Sequence, residues 1–274
     1  MNKLSVLIEN RLNGNFSAIC EHGLSLMLEI DSKKIIFDVG ASDAFLSNAK
    51  VMGIDLNNLD CVVLSHGHYD HVGGFKALVD KVKVPLLFTG RDFLVPKYVE
   101  GGKVFTYVGH NLTRDYLKAQ NIERQEVLDS NKISEHLYAV SGFKKYYNFD
   151  SIPEDFVEGN LDSIEDCDFF HQEVSLVIDN EEGLTLIAGC SHPGILSMIK
   201  DISIRFDKPV VRVIGGIHLV QADERRLEMV AKEMGELGVI EAELFHCSGE
   251  KIIPKLKEVG IKTYSLATCG MMKL

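Results

Sequence analysis

The sequence predicts an α/β fold in which two mixed sheets face each other with helices outside. Both halves of the 274 residues open on apolar strands and a hairpin and then alternate strand with helix. No linker or low-complexity segment separates the halves, and facing the two sheets would bury both sets of apolar strands. One domain over residues 1–274 is therefore the expectation. A stretch at about 91–167 shows no sustained period, and there an irregular cover over an active site is expected.

Taken in order, "LSVLI" from Leu4 is a short apolar run suited to a buried strand. "LSLMLEI" and "KKIIFDVG" read as two strands joined by a tight turn at Asp31-Ser32. "DAFLSNAKVMG" has helical spacing, with Ser42 or Asp43 as cap and Gly53 as stop. "LDCVVLS" is a strand ending where histidines begin, "GGFKALVDKV" a helix leaving them, and "VPLLFTG" another strand. The second half repeats the scheme with a hairpin around Asn180 to Gly183, a helix in "PGILSMIKDI" and a strand in "PVVRVIGGIHL". An amphipathic helix then stops at Gly238, followed by the strand end "AELFHCSG", the helix "EKIIPKLKEVG" and the strand "KTYSLAT".

Composition narrows the function. Hydrophobic content of 46% with 25% charged residues matches a soluble globular protein. A net charge of −11 disfavours nucleic acid and anionic membranes as partners, leaving a small-molecule substrate as the expectation; composition says nothing of oligomeric state. No apolar run reaches membrane-spanning length, and the N-terminus meets polar residues too early for a secretory signal. The six cysteines lack any C-x-x-C pair, which reads as free thiols in a reducing compartment and predicts a cytoplasmic protein.

The chemistry concentrates in "VVLSHGHYDHVGG". His66 and His68 alternate at a strand end, so both can face one ion. Asp70 and His71 follow as the chain turns into a helix, which suits a second ion nearby. Imidazole and carboxylate are ligands that zinc takes, and manganese or iron would accept them too. A site started on one loop needs ligands from elsewhere, and His192, His218 and His246 each stand close to the end of a later strand. Asp38, at another strand end, is placed to orient a ligand histidine without touching metal. Cys190 and Cys247 read as small core residues. Ser248-Gly249 before a helix suggests a weak anion-binding corner, and His22 a residue at the pocket rim, both candidates for substrate contact.

These residues resemble the metallo-β-lactamase-fold hydrolase superfamily. Asp38 matches its first motif, His66-x-His68-x-Asp70-His71 the second, His192 the third and His246 the last. "EHGLSLMLE", "GCSHPGI", "GGIHL" and "FHCSG" are similar to a narrower branch, that of 7,8-dihydropterin-6-yl-methyl-4-(β-D-ribofuranosyl)aminobenzene 5′-phosphate synthase of the methanopterin pathway. The resemblance implies a four-layer αββα sandwich and a divalent metal, zinc above all, as one or two ions. It implies His66, His68 and His192 on the first ion, Asp70, His71 and His246 on the second, and Asp70 as the proton handler in water activation. The superfamily usually carries a bridging aspartate at its fourth motif, where His218 is the nearest candidate. Only 27 residues lie between His218 and His246 and 28 after His246, which argues against the RNA-processing and glyoxalase-type relatives. A metal-dependent hydrolase of a small anionic substrate is the leading expectation, with a pterin-related synthase and a non-catalytic metal- or ligand-binding protein as alternatives.

Overall fold

The computed structural model describes residues 2–12, 14, 17–102, 104–150, 155–160 and 166–274. The chain begins β1 (Lys3–Ile8), β2 (Ser25–Ile30), β3 (Lys33–Phe37), α1 (Ala44–Val51), β4 (Cys61–Val63), α2 (Tyr69–Val72), α3 (Phe75–Val79) and β5 (Leu86–Gly90). It continues β6 (Lys97–Gly101), β7 (Val104–Tyr107), α4 (Arg114–Ala119), β8 (Glu123–Val127), β9 (Ser130–Lys132), β10 (Leu137–Val140), β11 (Phe156–Glu158) and β12 (Asp166–Cys167). It ends β13 (Ser175–Asn180), β14 (Gly183–Ala188), α5 (Ile195–Phe206), β15 (Val210–Gly215), α6 (Glu224–Glu236), β16 (Glu241–Leu244), α7 (Ile252–Glu258), β17 (Lys262–Tyr264) and β18 (Met271–Lys273).

Two seven-stranded mixed sheets carry the fold, ordered β18-β1-β2-β3-β4-β5-β8 and β17-β16-β15-β14-β13-β10-β9. Strand alternation divides the apolar side chains into three layers. Ile35 and Phe37 of β3, Val63 of β4, Ile187 of β14 and Ile214 of β15 meet between the sheets. Ile36 and Val62 point the other way, onto Phe45 of α1, Phe75 of α3 and Leu117 of α4. Leu186 and Val213 likewise pack outward on Ile199 of α5, Val230 of α6 and Leu256 of α7. Helix, sheet, sheet, helix is the αββα sandwich that the sequence predicts. No helix among the described residues is long and apolar enough to cross a membrane.

The stretch at 91–167 departs from the irregular segment expected. Among its described residues it carries strands β6 to β12 and helix α4; residues 103, 151–154 and 161–165 of it lie outside the described residues. Four of these strands form a separate small sheet, β12-β11-β6-β7. The strands are short and β7 is exposed throughout, so they leave no apolar alternation to read.

The parallel strands β3, β4, β14, β15 and β16 end on one side, and the loops that follow them bring the polar residues together. The loop after β3 is pressed onto α2: the Val39 N–H donates to the His71 carbonyl at 2.9 Å. Gly73 makes this approach possible, because a Cβ there would lie 2.1 Å from the Ala41 carbonyl oxygen. Gly53 also sits where a side chain is awkward, at φ +67°, but has open space around it. Gly73→Ala should therefore cost roughly 2 kcal/mol or more, and Gly53→Ala no more than about 1 kcal/mol, read as shifts in the urea midpoint. Equal midpoints for the two variants would contradict this packing.

Candidate metal centre

His66 and His68 leave the end of β4, and His192 leaves the end of β14 from the opposite sheet. His66 Nε2 stands 3.0 Å from His68 Nδ1, and the His192 ring centroid lies 4.8 Å from that of His66 and 5.1 Å from that of His68. Phe170 stacks flat on His192 at 3.9 Å, and Phe156 of the small sheet covers His68 at 5.2 Å. All three histidines are buried, yet among the described residues His68 Nε2 and both ring nitrogens of His192 have no hydrogen-bond partner. Burial pushes His66 and His192 well below the usual histidine range and His68 down to about 3, with neighbouring imidazoles adding to the effect. Neutral rings with unpartnered nitrogens in a dry pocket are the donor state a divalent metal needs.

A second set converges beside the first. His71 Nε2 lies 3.3 Å from His246 Nε2 and 3.7 Å from Asp70 Oδ2, and His246 Nε2 lies 3.2 Å from the same carboxylate oxygen. The surrounding hydrogen bonds decide where the protons are. His71 Nδ1 donates to Asp38 Oδ2 at 2.6 Å. His246 Nδ1 donates to Asn10 Oδ1 at 2.9 Å, an oxygen that also accepts from the Gly23 N–H. With each ring in its neutral form, both Nε2 atoms carry lone pairs, and they face each other and a carboxylate. Three electron-rich atoms converge only around a cation. Without a metal, a proton on His71 takes that place. Burial opposes it, but the Asp38 and Asp70 carboxylates outweigh burial and hold His71 up at about 9.

The supports come from far along the chain. Asp38, at φ 59°, accepts from the Ser65 N–H and the Ser65 hydroxyl, both at 2.7 Å, as well as from His71. The hydroxyl thus engaged accepts from His66 Nδ1 at 2.9 Å, leaving His66 Nε2 free to face the centre. One carboxylate therefore orients a ring in each set. Glu173 supports the other sheet: its buried carboxylate accepts from the N–H groups of Cys190, Ser191 and His192. Sequence reading missed Asn10, Ser65 and Glu173. Their only signal is position beside a strand end or a ligand, and many polar residues share it.

The remaining candidates separate. His22, largely exposed, reaches Asp70 Oδ2 at 3.2 Å and receives Asn10 Nδ2 at 3.4 Å, so it meets the second set rather than a distant rim. His218 joins no close donor group among the described residues; its ring lies 4.5 Å from that of His192. The Ser248 hydroxyl is buried and engaged, donating to the Gly215 carbonyl and accepting from the Ile217 N–H. Gly249 lines a cavity of about 490 Å³ with His246, Arg11, Lys257 and Tyr264. Cys190 is buried, as a core residue would be, and its Sγ also lies 3.3 Å from His71 Nε2.

Metal uptake should depend on pH differently in the two sets. An ion entering the second set displaces the His71 proton, so its affinity should rise by up to about tenfold per pH unit, levelling off toward pH 9. The histidines of the first set are already neutral above pH 6.5, so they add no pH dependence of their own there. Chelator competition between pH 7 and pH 9 checks this, and a pH-independent second ion would contradict it. In the metal-free protein these depressed histidines should cost stability as the pH falls below 6.5, since the unfolded chain takes up protons that the buried rings refuse.

The family profile of the metallo-beta-lactamase superfamily matches residues 19–193, a span holding Asp38, the His66–His71 cluster, Cys190 and His192. The chain is 30% identical over 273 residues to the 7,8-dihydropterin-6-methyl-4-(beta-D-ribofuranosyl)-aminobenzene-5'-phosphate synthase of Methanocaldococcus jannaschii, covering 91% of this chain and 88% of that protein. The crystal structure of Tm1679, a metal-dependent hydrolase of the beta-lactamase superfamily, is similar with a TM-score of 0.84 at 28% identity over 100% of this chain and 99% of that one. The fold alone is shared with YhfI from Bacillus subtilis, at a TM-score of 0.56 and 13% identity over 100% of both chains. With sequence similarity over more than half of its length and a donor cluster built on the matching residues, the chain belongs to the metallo-beta-lactamase superfamily.

Proposed function

We propose that the protein is a metal-dependent hydrolase of a small anionic substrate, holding one ion on His66, His68 and His192 and a second on Asp70, His71 and His246. The observation that carries this reading is the convergence of the His71 and His246 Nε2 atoms and the Asp70 carboxylate within 3.7 Å of one another. Divalent ions at such sites supply Lewis acidity and a water acidified toward neutral pH; zinc fits the histidine-rich donors, as manganese and iron do.

The chain's own residues supply the rest. Asp70 Oδ2 is the nearest carboxylate oxygen to both Nε2 atoms of its set, and it accepts a proton from the attacking water. His22, open to solvent, accepts from Asn10 at Nδ1, so its Nε2–H donates to Asp70 Oδ2 at 3.2 Å and orients that carboxylate. Phe156 and Phe170 keep bulk water off the first set. The cavity beside His246 is lined by Arg11 and Lys257 and by Glu9 and Glu250, both paired with Arg11, which leaves Lys257 as the cation open to a small substrate.

A second reading is a synthase acting at the same centre, favoured by the near end-to-end similarity to the dihydropterin-aminobenzene phosphate synthase. The deciding experiment measures metal per chain by elemental mass spectrometry on protein purified without chelator, and turnover of phosphate monoesters, phosphodiesters and lactones. We expect about two ions per chain, loss of turnover on chelation with recovery on metal return, and a fall of at least roughly 100-fold in Asp70→Asn. Metal-loaded protein that binds a reduced pterin yet turns over none of the panel would favour the synthase. Protein that takes up no metal would overturn both.

A further inference from the structure

Beyond the two histidine-rich sets, one more side chain stands where both meet. Cys190 Sγ lies within 4.8 Å of the donor atoms of His66, which belongs to the first set, and of His71, which belongs to the second. It lies at the same range from the donors of His246 and Cys247. It is buried, and its nearest polar neighbour is His71 Nε2 at 3.3 Å, the lone-pair atom already facing His246 and Asp70. A core cysteine would meet apolar groups; this one meets imidazole nitrogens.

Its position is built as firmly as that of the histidines. Cys190 follows β14, and its N–H, with those of Ser191 and His192, points at the Glu173 carboxylate. Ser191 adopts a left-handed φ of 60°, and its hydroxyl donates to the Gly216 carbonyl at 2.7 Å. One anchored loop thus sends a sulfur toward both sets and an imidazole, two residues later, toward the first.

We propose that Cys190 is a metal ligand whose sulfur is shared between the two ions. Sulfur has lone pairs for two metal bonds, and a thiol that coordinates a divalent ion does so deprotonated. Each Cys190 S–H therefore breaks as its metal–sulfur bonds form, and the proton passes to solvent; no electrons change hands. His218, the nearest sequence candidate for the superfamily's fourth motif, joins no close donor group among the described residues, whereas Cys190 does. This inference rests on the metal-centre reading above.

Cobalt(II) reconstitution tests it with a spectrum that does not depend on turnover. Thiolate-bound cobalt shows a near-ultraviolet charge-transfer band in addition to the visible ligand-field bands that any cobalt site gives. We expect the charge-transfer band in the wild type, its retention in Cys247→Ser, and its loss in Cys190→Ser with the visible bands still present. Cys190→Asp, which restores an anionic oxygen, should keep about the wild-type metal content with no charge-transfer band, and covers the case in which the serine variant fails to fold. Cobalt uptake by the wild type without that band, or a band lost in Cys247→Ser, overturns ligation by Cys190 while leaving the metal centre intact. No cobalt uptake at all overturns the centre itself.

Discussion

Imidazole nitrogens without hydrogen-bond partners and ionised carboxylates are expensive to bury unless a cation sits among them. At the junction of the two sheets the chain buries His66, His68, His71, His192 and His246 together with Asp38 and Asp70. The cost is bearable because the Nε2 atoms and the carboxylate converge on shared space where a cation, or in its absence the His71 proton, offsets their mutual repulsion. The arrangement of loops, anchors and cover follows from holding these atoms in that relation.

Rigid strands do most of the positioning, and the last step is made by strained residues. Asp38, Ser191, His218 and His246 each adopt a left-handed backbone just past a strand or strand-end loop, with φ from 49° to 60°. Such residues cost on the order of 1–3 kcal/mol each and persist only where the surroundings hold them. The holding groups are visible: Ser65 and His71 on Asp38, Glu173 on the Ser191 loop, Asn10 on the His246 ring. Asp38 and Glu173 play matching parts on the two sheets, each a buried carboxylate that collects N–H or O–H donors from the loop bearing metal ligands.

The small sheet adds what the sandwich lacks. It lays Phe156 over His68, and Lys97 of β6 runs along Gly67 to an ion pair with Asp168 at 3.1 Å. A cavity opens on the His246 side, and His22 stands at the solvent edge of the second set.

Much of this was legible in the residues alone. The alternation in β3, β4, β14 and β15 is strong because both sheet faces are buried, and the His66–His71 cluster is local, so its spacing carries its geometry. Asp38 could be placed because a carboxylate at a strand end has few other uses. The placing of Cys190 against His71 and of His218 against His192, the reach of His22 to Asp70, and the tethering by Asn10 and Glu173 appear only in the folded chain. The physical reason is that a side chain beyond a strand end points wherever one or two backbone dihedrals send it. Those dihedrals, in Ser191 and His246, are held by hydrogen bonds to residues elsewhere in the chain.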